Sequence, residues 1–129
     1  MQSSTNNDGE ILNEFELIAR LSELESAKTT EGANTVFTGI GDDAAVVSMP
    51  ASQMLLTTDA IVDGVHFRSV DERWFDIGWK CAVSNLSDIA AMGGIPDHAL
   101  VTLGVPPGAS IETYADFYNG MNAAFSEFG

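Results

Sequence analysis

Positive charge is what this chain most lacks: five Lys and Arg stand against nineteen Asp and Glu, for a formal net charge of −14 over 129 residues. Such a surface does not hold a nucleic-acid backbone through its own cations, and it repels a bare polyphosphate. Most of the acids read as a solvated surface that favours solubility. The remainder bind polyphosphate only if divalent cations sit between the two. Cysteine is nearly absent too. Cys81 is alone, which excludes an internal disulfide framework and a Cys-based zinc cluster, and its apolar helical setting suits a buried structural thiol. No run approaches the roughly 20 apolar residues of a membrane span. The N-terminus lacks the basic-then-apolar pattern of a signal peptide. These absences predict a soluble cytoplasmic protein with no membrane and no nucleic-acid partner.

What is present fits one compact domain. Apolar residues make up 45% of the chain, inside the globular range. Residues 1–12, rich in Ser, Asn and Gln, read as a flexible N-terminus, and 13–129 as the folded domain. Residues 13–27 have helical spacing at Phe15, Ile18, Leu21 and Leu24, with Asn13 and Glu16 as a capping box. A polar loop covers 29–35. Strand-like runs Ala44–Met49 and Met54–Thr58 flank Pro50, Ala51 and Ser52, which suits a hairpin-like connection. A short strand, Gly64–Arg68, follows the Asp63-Gly64 turn signal. Residues 75–92 form a second helix with Phe75, Trp79, Val83, Leu86 and Ala90 on one face and Gly93-Gly94 as its stop. Ala99–Val105 reads as a strand ended by Pro106-Pro107. Ser110 caps a last helix over 111–127, with Ile111, Tyr114, Tyr118, Met121 and Phe125 as its stripe. The expected class is α+β, a mixed sheet with helices on one face. A further strand is expected after Gly129, where the chain stops.

Acids gather beside glycines and strand ends in four segments: Gly39-Ile40-Gly41-Asp42-Asp43, Thr57-Thr58-Asp59, Val62-Asp63-Gly64-Val65-His66-Phe67 and Asn85-Leu86-Ser87-Asp88. Hard divalent cations take oxygen ligands, so carboxylates and hydroxyls at one end of a sheet could hold several ions against a triphosphate. Each segment also has a plainer reading. Asp42 and Asp43 point to opposite faces of an extended chain, and either could simply form a turn. Thr57-Thr58-Asp59 is also a common strand exit. Asp88 reads equally as an exposed helix acid, although an unpaired buried carboxylate there would be costly. His66 lies opposite Val65 and Phe67 and reads first as a polar surface or satisfied core residue. His98 looks like an ordinary loop residue.

Three familiar motifs fail. Gly39-x-Gly41-x-x-Ala44 precedes a strand instead of opening a helix after one. Asp59 to Val70 puts Ile61 and Val70 where an EF-hand needs an oxygen ligand and Glu. No Gly-x-x-x-x-Gly-Lys-Ser/Thr occurs, so this is not a P-loop chain.

In order and wording together, Gly-Ile-Gly-Asp-Asp-Ala-Ala-Val (39–46), Thr-Thr-Asp (57–59), Val-Asp-Gly-Val-His-Phe (62–67), Gly-Trp-Lys (78–80), Ala-Val-Ser-Asn-Leu-Ser-Asp-Ile-Ala-Ala-Met-Gly (82–93) and Pro96 resemble the thiamine-monophosphate kinase family. That family is related to aminoimidazole ribonucleotide synthetase. The likeness runs from about Phe15 to Gly129, and the His66 segment separates this family from its relatives better than the acids do. The resemblance implies an aminoimidazole ribonucleotide synthetase-like N-terminal domain. It implies in-line transfer of the γ-phosphoryl group of ATP to thiamine monophosphate, assisted by several Mg²⁺ ions. By position it implies Asp43, Thr57, Thr58, Asp59 and Asp88 as metal ligands, with Asp59 and Asp88 each touching more than one ion. His66 would contact the thiamine phosphate, and Tyr118 would line the nucleotide site. Lys80 is open between phosphate charge balance and a helix-surface ion pair. No residue is assigned as a catalytic group.

The resemblance further implies a homodimer whose sheets join into a barrel-like core, with the active site between this domain and a larger C-terminal one. The chain departs from the family by stopping before a strand and a Gly-Gly-Asp-Thr segment, so this piece alone is expected to be inactive. Asp63 stands where the family usually carries Glu, which keeps the charge. Two other readings stay in play. A sister ATP-dependent synthetase would share the acids without the His66 wording. A non-catalytic, acidic divalent-ion-binding or dimerisation domain would describe the isolated piece.

Overall fold

A computed structural model describes residues 14–26, 36–39, 44–48, 53–106 and 110–128. Three helices carry it: α1 (Glu14–Ser26), α2 (Trp74–Ala91) and α3 (Ile111–Phe128), with strands β1 (Val36–Thr38) and β2 (Val46–Val47) between the first two. The expected Asn13 cap, the 29–35 loop and the Pro50-Ala51-Ser52 connection lie outside the described residues, as do residues 1–12.

The helices form where periodicity predicts them, within a residue or so at each end. The end of α2 follows from its glycines. Gly93 adopts φ +71, a left-handed conformation that glycine takes without steric cost. Its N–H then donates to Ala90 O at 3.0 Å and that of Gly94 to Ile89 O at 2.9 Å, the paired bonds that close a helix C-terminus. At the start of α3, Ser110 Oγ accepts from the Thr113 N–H at 3.4 Å.

The core lies between α2 and α3. Ile77 and Ala82 from α2 pack with Tyr114, Phe117, Tyr118, Met121 and Ala124 from α3, and Leu21 of α1 joins them. The two long helices meet at glycines. A Cβ on Gly78 would lie 1.9 Å from the Phe117 carbonyl oxygen, and one on Gly120 would lie 1.9 Å from that of Phe75. Nothing larger than hydrogen fits at either crossing.

The expected faces are partly rotated. Leu17 and Leu21 turn α1 toward the core, whereas Phe15 is 81% exposed. On α2 the buried positions are Ile77, Gly78 and Ala82, while Trp79, Val83 and Leu86 are only partly covered. The reason is the glycine contact, which sets the helix by its smallest residues.

The sheet departs furthest from expectation. β2 pairs antiparallel with β1, Val36 opposite Val47 and Thr38 opposite Val46, not with residues 54–58. A single two-stranded antiparallel sheet is present among the described residues, which is compatible with the α+β class, and no mixed sheet appears among those residues. Residues 54–58 and 99–105 run without strand pairing, because a strand exists only where a neighbour takes its backbone bonds. Gly64–Arg68 is a set of tight turns. Gly64 has φ +77, and its N–H donates to Phe67 O at 2.8 Å.

Candidate functional site

The exposed ridge of α2 and the 53–72 segment beside it bring most of the sequence-derived site residues together. Thr57 Oγ1 donates to Asp88 Oδ2 at 2.9 Å. One turn earlier on the helix, Asn85 Oδ1 accepts from the Asp59 backbone N–H at 3.1 Å. The Asn85 amide donates in turn to the Cys81 carbonyl at 3.0 Å, which fixes which end of the amide faces Asp59. Asn85 and Asp88 are three apart on one helix, hence on one face. Residues 57–59 are thereby tied to that face at two points.

Thr57, Thr58, Asp59 and Asp88 are exposed. Among the described residues, the ion pairs are Arg68 with Asp71, Arg73 with Asp76 and His98 with Asp97. Among the described residues, no basic side chain neutralises Asp59 or Asp88. Carboxylates and hydroxyls without a cationic partner are the donor set that suits a hard divalent cation. No group of three or more His, Cys, Asp or Glu comes together among the described residues. Asp42 and Asp43 lie outside them.

Cys81 sits beneath this ridge. Burial, and then the charge of Asp59, push its thiol up from the ordinary value. That shift makes the thiol a weaker nucleophile, in keeping with a structural role.

His66 lies on a turn between residues 57–59 and the start of α2. Its Nδ1 accepts from the Val62 N–H at 3.1 Å. Asp63, beside it, accepts from Ser69 N–H at 3.0 Å and Ser69 Oγ at 2.5 Å. Those bonds, the hydroxyl's first, hold the Asp63 carboxyl below the usual carboxylate range. Lys80 Nζ donates to the His66 carbonyl oxygen at 2.6 Å. Its contact among the described residues is thus a backbone carbonyl and not the anticipated surface ion pair. Tyr118 is 9% exposed in the α2–α3 core and packs edge-on against Phe117, centroids 5.9 Å apart.

Asn85 and Ser69 carry contacts that sequence reasoning gave no role. The i, i+3 spacing of Asn85 and Asp88 was a usable signal. Ser69 had none, because its contact spans a turn whose shape depends on Gly64.

The described helices include none long and apolar enough to cross a membrane. Curated relatives are similar over most of the chain. A Rhodopirellula baltica protein named thiamine-monophosphate kinase is 44% identical over 101 residues, covering 72% of this chain and 32% of the relative. Proteins of the same name from Bacillus subtilis and Corynebacterium glutamicum are 38% and 34% identical, covering 86% and 91% of this chain and 33% of each relative. The chain spans about a third of the length of these relatives. No solved structure matches it. The family model described as AIR synthase related protein, N-terminal domain, matches residues 41–129, and with the ridge of Thr57, Asp59, Asn85 and Asp88 inside that match, the chain belongs to this family.

Proposed function

We propose that this chain is the N-terminal part of a thiamine-monophosphate kinase, which moves the γ-phosphoryl group of ATP to thiamine monophosphate to give thiamine diphosphate and ADP. The observation that carries the reading is the docking of Thr57 on Asp88 and of Asp59 on Asn85, in a chain similar to proteins of that name. It leaves two carboxylates without basic partners on one ridge. An acidic ridge in a chain of net charge −14 cannot receive a triphosphate directly. Thr57, Thr58, Asp59 and Asp88, with Asp43, would hold Mg²⁺. Bound there, the ion would offset the like charges and stabilise those that develop on the transferring group.

The residues of this chain then have separate tasks. Asp59 and Asp88 supply the negative oxygens of the metal site. Asn85 sets the backbone of Asp59, and Thr57 bridges to the helix. His66, exposed on its turn, would bind the phosphate of thiamine monophosphate. Tyr118 would line the nucleotide site from the α2–α3 core, where it is buried.

A homodimer belongs to the same proposal. Residues 53–60 and 99–105 present Met54, Leu55, Leu56 and Leu100 to solvent along backbone that pairs with no described strand. Extended chain with apolar side chains and unpaired edges is a template for a second copy. The proposed site of action is the cytoplasm.

A coupled assay for thiamine diphosphate, with ATP, Mg²⁺ and thiamine monophosphate, tests the reading on the full-length protein and on this chain in parallel. Product from the former alone is expected. No product from a folded full-length protein overturns the reading in favour of a sister synthetase, whereas Mg²⁺ binding without any turnover would favour an ion-binding domain.

A further inference from the structure

The turn that carries His66 is held more tightly than an exposed loop needs to be. From below, Phe67 is buried at 9% exposure and meets the Trp74 ring edge-on, centroids 5.9 Å apart. Within the turn, His66 N–H donates to Val62 O at 2.9 Å, and the Val62 N–H returns a bond to the His66 ring. On one flank Asp63 clasps Ser69 through both its backbone and its hydroxyl. On the other, the Lys80 ammonium reaches across from α2 to the His66 carbonyl.

The ring bond has a chemical consequence. An N–H aimed at Nδ1 needs a lone pair there, so the neutral imidazole carries its proton on Nε2. The exposed side chain therefore offers one defined donor instead of a mixture of two tautomers. A phosphate monoester oxygen is an acceptor only, and it matches that donor.

We infer that Lys80 and the Asp63–Ser69 clasp are positioning residues that hold His66 as an Nε2–H donor toward a phosphate oxygen of the acceptor substrate. This rests on the proposed role of His66 in binding thiamine monophosphate. Lys80 works through the carbonyl of His66 and does not itself touch phosphate. A charge-assisted bond to a carbonyl is among the stronger ones a surface lysine makes, and it ties the turn to the helix that also carries Asn85 and Asp88.

The test uses Lys80→Met in the full-length protein, with two readouts. The KM for thiamine monophosphate is expected to rise roughly tenfold, while kcat and the KM for ATP stay within about twofold. In ¹⁵N spectra of the neutral imidazole, His66 is expected to show only Nε2–H in the parent protein and a mixture of tautomers in the variant. Lys80→Arg, which still donates to a carbonyl, is expected to recover most of the loss. Should Lys80→Met fold poorly, Ser69→Ala removes one hydroxyl from the opposite flank and takes the same readouts.

A KM and a tautomer pattern that both stay unchanged in these variants overturn the inference. His66→Ala separates it from the reading it rests on. An unchanged KM in His66→Ala ends the substrate role of the ring, while the tautomer pattern in Lys80→Met still decides whether Lys80 positions it.

Discussion

The α2–α3 pair and the two extended segments beside it are equally apolar in sequence, yet they end in opposite surroundings. Between the helices, Ile77 and Ala124 are 0% exposed. In the extended segments, Leu56 and Leu100 remain 81% and 90% exposed. The difference lies in the backbone more than in the side chains. A helix satisfies its own N–H and C=O groups, so one neighbour on one face completes it. An extended segment satisfies none of them alone and is completed only by chain on its edges. The first region is finished by the residues described, and the second pairs with none of them.

The largest expected break comes at the helix crossing. Gly120→Ala or Gly78→Ala would drive a methyl into a backbone carbonyl, and no side-chain rotation relieves a clash with backbone. Either substitution is expected to cost at least about 3 kcal/mol, read as a lower midpoint in urea unfolding. A midpoint within error of the parent would mean that the helices do not touch as described.

Next in size is an effect on rate. In the full-length protein, Asp88→Asn or Asp59→Asn is expected to lower turnover on the order of a hundredfold, because on the proposed reading each would weaken a ligand to the charge-stabilising ion. Both side chains are exposed, so the unfolding midpoint should hold. Unchanged turnover in both would remove them from the site.

Smaller still is the response of the exposed region. Leu56→Ser is expected to shift the stability of the monomer by no more than about 0.5 kcal/mol. Sedimentation of the same variant sharpens the comparison: weakened self-association alongside unchanged monomer stability would show that this region is completed by a second copy.

The smallest effect concerns acid. Asp63, Asp76 and Glu112 are all held below their ordinary values, chiefly by the Ser69 hydroxyl, by Arg73, and by the backbone at the start of α3 respectively. A carboxyl lowered in the folded state contributes stability present above its unfolded value and lost as pH falls through the folded one. These contributions should therefore fade only below about pH 4. Asp63→Asn, followed by thermal melting across that range, should flatten its share of the slope.

How much of this was legible follows from the same contrast. Helix positions depend on local periodicity and stop signals, and Gly93-Gly94, Ser110 and the Tyr114–Tyr118–Met121 stripe announced them. The rotation of α2 did not follow from its apolar residues, because Gly78 and Gly120 decide it and a glycine leaves no hydrophobic trace. Strand pairing depends on distant partners, so the Val46–Val47 segment was recognisable while its neighbour at Val36–Thr38 was not. In the site, Thr57, Asp59 and Asp88 stood out by residue type. The roles of Asn85 and Lys80 required the tertiary geometry, since each acts on a backbone group that any residue would supply, and Ser69 reaches Asp63 only across the Gly64 turn.

The methyl-free crossing of α2 and α3 also restricts how this protein can move. With carbonyls lying where a Cβ would be, the two helices have no slack in which to slide or roll, and they behave as one rail. Asn85 and Asp88 ride on that rail, as does Lys80. Any adjustment to an arriving ligand is then expected outside the helix pair, so ligand entry should register in the backbone dynamics of other segments and leave the helix pair silent.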